Sequence, residues 1–168
     1  MGATTLVSVE DYLRTSYRPD CDYVDGHVVE RHLGEKDHSK LQSRLLFWFM
    51  LRQEQLGIWA VVEQRVQVSA RRFRVPDVCV TSSEPPDQIF REPPHICIEV
   101  LSKDDSVAGM QERMDDYLAF GVRHVWLIDP MKRRAWTYTS DGSIEAKDGI
   151  LRATNPDLIL PLAELFVD

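Results

Sequence analysis

Two almost wholly apolar runs, His95–Leu101 (HICIEVL) and Val122–Asp129 (VRHVWLID), stand on either side of a helical stretch at Asp105–Phe120. Each run is too short for a buried helix and suits a strand covered on both faces. Between them Val107, Met110, Met114, Tyr117 and Leu118 recur at helical spacing, and Gly121 is placed to cap the C-terminus. Strand, crossover helix and strand of these lengths predict a βαβ unit, in which the two strands run parallel. The chain is thereby committed to an α/β fold with a buried strand pair near the centre of its sheet.

The upstream half reads differently. Ser8 with Asp11 resembles a capping box and opens a helix over about Val9–Ser16, which Arg18-Pro19-Asp20 breaks. Asp25-Gly26 lies between β-prone residues 22–24 and 27–30 and predicts a tight hairpin. Gly34 to Asp37 is polar, with Asp37 as a candidate cap. Leu41, Leu45, Trp48, Phe49 and Leu56 then mark one face of a helix reaching about Gln55, with Gly57 ending it. Trp59–Glu63, Arg65–Ala70 and Val75–Thr81 predict strands, with Arg71, Arg72 and Arg74 crowded in a turn between the last two. Ser82–Pro94 holds four of the nine prolines and reads as a loop. Peripheral strands are expected at Arg134–Thr139, Ser143–Ala146 and Leu158–Leu160, with a helical turn at Pro161–Phe166. Short turns join the early strands, so the sheet should be mixed. No repeat or linker divides the 168 residues, which suit one domain.

Hydrophobic residues at 43% and charged residues at 28% exclude a disordered chain. No apolar run approaches the roughly 18 residues that span a bilayer, so no membrane is expected. The N-terminus lacks a basic region followed by a long apolar one, and Leu6 stands where a myristoylation signal wants Ser or Thr. Three cysteines, Cys21, Cys79 and Cys97, make an odd count without CxxC spacing, which points to a reducing cytoplasm. A net charge of −7 argues against a protein that clamps DNA by charge alone. It leaves room for an enzyme that gathers carboxylates around a metal ion.

Glu99 is the anomaly of this chain. It is a lone acid in the run HICIEVL, where an unpaired carboxylate must protonate, pair or bind a cation. Asp77 has the same character ahead of Val78-Cys79-Val80. On adjacent strands the two acids can share one Mg²⁺ or Mn²⁺, which orients a phosphate and lowers the pKa of a bound water. Spacing is equally compatible with a plain acid–base pair at a strand end, with Arg74 or Lys103 as partner. The basic groups at Arg71–Arg74 and Lys132–Arg134 read as solvated faces before they read as phosphate contacts. His27, His32 and His124 show no metal-ligand spacing, and neither a phosphate loop nor a serine nucleophile elbow is present.

Six short runs in order carry a resemblance. They are Tyr23-Val24-Asp25-Gly26, His38-Ser39, Val75-Pro76-Asp77-Val78, Glu99-Val100-Leu101-Ser102, Tyr117 to Val122, and Val125 to Pro130. Each is weak alone; their order and spacing together resemble the Uma family of restriction endonucleases, within the PD-(D/E)XK nuclease superfamily. The resemblance covers about residues 8–165.

The resemblance implies a restriction-endonuclease-like α/β core, a mixed central sheet flanked by helices, with Asp77 and Glu99 as ligands of Mg²⁺ or Mn²⁺. It implies a third acid on the first hairpin, where Asp22 stands in place of the family's Glu. His38 matches a histidine at the start of the long helix, with a role toward metal, water or phosphate, or a structural one. The implied partner is nucleic acid, DNA by family habit, although the sequence does not separate DNA from RNA. Many such folds dimerise to cut both strands, so a homodimer is open, with no stoichiometry indicated.

One departure concerns the lysine. The superfamily places it two residues after the second acid, where this chain has Leu101. The Uma pattern places it on the following helix, where this chain has Arg113, and an acid four residues earlier, where it has Gly109. Arginine keeps the charge but releases no proton at neutral pH. Three readings stay open: an active site using Arg113, one using Lys103, and a degenerate fold that binds nucleic acid or protein without cutting.

Overall fold

A computed structural model describes residues 5–32 and 35–167. The start of the N-terminal reading and the reading at Gly34 lie outside those residues. Helix α1 (Val9–Arg14) is capped by Ser8, whose Oγ accepts from the Asp11 amide. Strands β1 (Asp22–Val24) and β2 (His27–Val29) form the expected hairpin, and both turn residues take positive φ, 50° at Asp25 and 100° at Gly26. That pair of angles matches the right-handed twist of a two-residue hairpin.

Helix α2 (Lys36–Met50) begins after Glu35, so Asp37 lies in its first turn and does not cap it. It stops earlier than the apolar stripe suggests. Leu51 and Arg52 interrupt it before the short α3 (Gln53–Leu56), which Gly57 ends at φ 62°. Arg52 leaves the helix to lie 4.0 Å over the Trp48 ring and to pair with Glu164 at 3.2 Å.

The strands β3 (Trp59–Val62), β4 (Val66–Ser69), β5 (Arg72–Arg74), β6 (Val78–Thr81), β7 (Ile96–Val100), β8 (His124–Asp129), β9 (Arg134–Thr139) and β10 (Gly142–Glu145) follow. They divide between a four-stranded sheet, order β2-β1-β5-β4, and a six-stranded sheet, order β10-β9-β8-β7-β6-β3. The larger sheet is mixed. β7 and β8 pair in parallel, joined by α4 (Val107–Phe120), and its other pairs are antiparallel.

Two strands escaped the sequence reading. Arg72–Arg74 is a strand and not a turn, because Phe73 points inward against Tyr12 and Tyr23 while the arginines meet acids. The other, β11 (Ile150–Ala153), pairs with β12 (Leu158–Pro161) in a ribbon under α2, ahead of a short 3₁₀ turn at Leu162–Glu164.

Side chains alternate along β7. Ile96, Ile98 and Val100 face α2 and the ribbon, packing with Leu45, Phe49, Leu151 and Leu160. Cys97 faces the other way, packing with Met110, Met114 and Tyr117 of α4. By the period of two, Glu99 shares the face of Cys97 and meets α4. All three cysteines are free and buried. Among the described residues no helix is long and apolar enough to cross a membrane.

Candidate active site

The register between β6 and β7 pairs Val78 with Ile98, which sets Asp77 opposite Glu99 at the end of the sheet where β6 begins and β7 ends. Both acids are buried, each with 1% relative exposure. Asp77 Oδ2 accepts from the Val100 amide at 2.7 Å and lies 3.3 Å from His38 Nε2, while Oδ1 accepts from Arg31 Nη2 at 2.5 Å. Glu99 Oε1 accepts from the Tyr117 hydroxyl at 2.6 Å, and its Oε2 lies 3.5 Å from Arg113 Nη1.

Asp22, fully buried at the start of β1, completes the group from the smaller sheet. Its Oδ1 accepts from the Val75 amide at 3.0 Å, and its Oδ2 accepts from Arg74 Nη1 at 3.0 Å and Arg113 Nε at 3.1 Å. Arg74 is held on its other side by Asp116 of α4, at 2.7 Å from Nε. Arg113 therefore bridges Asp22 and Glu99, and Arg74 bridges Asp22 and Asp116. Helix α2 begins beside this end of the sheet, with His38 of its first turn against Asp77, so its N-terminal dipole favours the negative charge there.

Burial acts on the two central acids with opposite results. Glu99 is pushed up to about 7, because burial and Asp77 together outweigh the pull of Arg113 and Arg31. Asp77 is also penalised by burial, yet its hydrogen bond with His38 and the charge of Arg31 hold it below the usual carboxylate range. For His38 burial disfavours the imidazolium, and the bond to Asp77 overcomes that and raises its pKa. Burial opposes the charge of Arg31 too, but Asp77, Glu99 and Asp22 together raise its pKa.

Five of the residues picked out from sequence thus meet: Asp22, Asp77, Glu99, His38 and Arg113. Lys103 does not join them. It is exposed in the turn after β7, where its ammonium pairs with Glu35. Arg72 and Arg74 do not lie on a solvated face. Arg74 is buried, and Arg72 is tied to Asp25 at 2.8 Å and Asp116 at 3.0 Å. Sequence reading missed Arg31, which has no local signal beyond one charge in the run Glu30-Arg31-His32. It also missed the Tyr117 hydroxyl, which it placed only on an apolar face. A buried tyrosine needs a partner for its hydroxyl, and that requirement was the available clue.

A hollow of about 340 Å³ is walled by Val24, His27, Arg74, Gly109 and Arg113 among others, the two arginines being those that bind Asp22. An added Cβ at Gly109 would meet the capping Ser106 Oγ at 2.9 Å. A larger cavity of about 570 Å³ lies at the opposite end of β6 and β7, under the loop 82–94 with His95 and Arg123. That loop stands away from the acids. The smaller hollow is bounded instead by the first hairpin and the start of α4.

Among the described residues no three Asp, Glu, His or Cys side chains form a ready-made metal cage. The reason is visible in the bonds above: arginines and backbone amides already use the carboxylate oxygens. In donor chemistry the residues fit Mg²⁺ or Mn²⁺, which take hard carboxylate oxygens.

A family model described as "Putative restriction endonuclease" matches residues 9–164. The chain belongs to the Uma2 family. The Uma2 chain also superposes on the crystal structure of "a putative nuclease belonging to DUF820" from Anabaena variabilis, with a TM-score of 0.81. The match is 22% identical and covers 95% of this chain and 97% of the other, which establishes a shared fold. A search of curated proteins finds no match. The family match supports a nuclease-like protein acting on nucleic acid, and the superposition supports the shared fold.

Proposed function

We propose that this Uma2 chain is a single-domain, metal-dependent endonuclease that hydrolyses phosphodiester bonds, with Asp77 and Glu99 as ligands of Mg²⁺ or Mn²⁺ and Asp22 completing or orienting the shell. The observation that carries this reading is the placement of two buried acids at one end of the sheet, Asp77 and Glu99, each one position beyond the Val78–Ile98 pair. A divalent cation supplies polarisation of a phosphoryl oxygen and a bound water of lowered pKa. Arg113 contributes fixed positive charge toward the phosphate as negative charge builds on it during in-line attack. It holds its proton throughout, so it cannot serve as the acid that a lysine could be. His38 can hold a proton at Nε2 against Asp77, at the rim of the group. DNA is the proposed substrate, the cytoplasm the proposed compartment and a homodimer the proposed assembly.

The test is cleavage of supercoiled, linear and single-stranded substrates with Mn²⁺ or with chelator, beside Asp77→Ala. The expected result is Mn²⁺-dependent cleavage that falls at least about 100-fold in the variant. Cleavage that survives Asp77→Ala unchanged would remove the acids from the chemistry. A second reading has a specific observation behind it: arginines stand both in the lysine position and against Asp77. In that reading the fold binds nucleic acid or protein without cutting, and calorimetry finds DNA binding with neither cleavage nor Mn²⁺ binding.

A further inference from the structure

Three arginines converge on the acids, and they are not held alike. Arg74 belongs to β5 and Arg113 to α4, and each is gripped by two carboxylates. Arg31 belongs to neither a strand nor a helix but to the connection between β2 and α2. Its side chain is only 9% exposed, and the hydrogen bond it makes into the group is the one from Nη2 to Asp77 Oδ1. Its Nε is buried without an acceptor. It feels the charges of Asp77, Glu99 and Asp22 together, and Arg113 repels it.

A guanidinium in that position lies where three carboxylates focus their charge. A divalent cation shared by Asp77 and Glu99 needs the same oxygens and the same charge balance. Both cations cannot be held there at once without strong repulsion in a buried, low-dielectric setting. Arg31 hydrogen-bonds a single carboxylate and sits on a connection, which makes it the member of the three that can leave.

We propose that Arg31 is a place-holding cation: it occupies the metal position on Asp77, and metal binding proceeds by expelling its guanidinium. Arg31 then sets the metal affinity of the site and keeps the acids together in its absence. This rests on reading Asp77 and Glu99 as metal ligands, and the experiment separates the two ideas.

Mn²⁺ binding is measured by calorimetry, and by the electron-spin signal of free Mn²⁺, for wild type, Arg31→Gln, Asp77→Asn and the double variant. The expected result is at least tenfold tighter binding in Arg31→Gln, lost in the double variant. Equal affinity in wild type and Arg31→Gln, with Asp77→Asn weakening both, overturns the place-holder while sparing the metal site. No binding in any variant, or binding indifferent to Asp77→Asn, overturns both. If Arg31→Gln does not fold, trypsin cleavage of wild type after Arg31 decides. Saturating Mg²⁺ should speed that cut at least about fivefold as the side chain leaves its burial, and an unchanged rate overturns the proposal.

Discussion

Glu99 and His38 make the acid group sensitive to pH on both of its sides. The folded-state pKa of Glu99, about 7, lies above its ordinary 4.5, so between those values the unfolded chain gives up a proton that the folded protein keeps. Stability must therefore fall as pH rises through that window. His38 is raised above its ordinary 6.5, so its contribution is present below 6.5 and is lost as pH climbs through the higher folded value. We expect the melting temperature to decline from about pH 5 to pH 8. Glu99→Gln should flatten the lower part of that decline, and His38→Gln the upper part, in scanning calorimetry across pH. An unaltered slope in Glu99→Gln would show that this carboxyl titrates normally. Arg113 offers a second test at this scale. Lysine is shorter and cannot bridge Asp22 and Glu99 as a fork does, so Arg113→Lys should cost about 1–2 kcal/mol in denaturant unfolding. The same variant should cleave faster than wild type, since it restores a group that can handle a proton.

Helix α4 shows why a single element can organise this site. Arg113, Asp116 and Tyr117 are spaced by three and four residues and so share one face. They reach, in turn, Asp22 with Glu99, Arg74, and Glu99. Periodicity alone reads that face as apolar, through Met110, Met114 and Tyr117, because it reports burial and is blind to a polar atom at a side chain's tip. Asp116 ties α4 to both Arg72 and Arg74 of β5, joining the helix to the smaller sheet. Asp116→Ala leaves buried Arg74 with Asp22 at 3.0 Å and the more distant Glu112 at 3.7 Å. We expect a loss of about 1–3 kcal/mol by urea unfolding, below the full cost of an unpaired buried ion. Helix α2 teaches the complementary point. Its apolar stripe marked the face correctly, but the stripe runs on to Leu56 across a break that only the Arg52 contacts to Trp48 and Glu164 explain.

For the molecule as a whole, the site is a convergence of chain segments far apart in sequence: β1 with Asp22, the connection with Arg31, α2 with His38, β6 and β7 with the central acids, and α4 with Arg113. What the sequence by itself determined is the βαβ unit, the hairpin at Asp25-Gly26 and the two misplaced acids. Each is a local signal, whether a run of apolar residues, a turn that needs positive φ, or a charge among apolar neighbours. What only the tertiary structure decided is which positive charges answer those acids. Lys103, near in sequence, is held outside by Glu35, while Arg31, 46 residues from Asp77, comes to rest against it. The physical reason is that a buried charge is balanced by whatever the packed fold brings within a few ångströms, and sequence distance does not limit that reach.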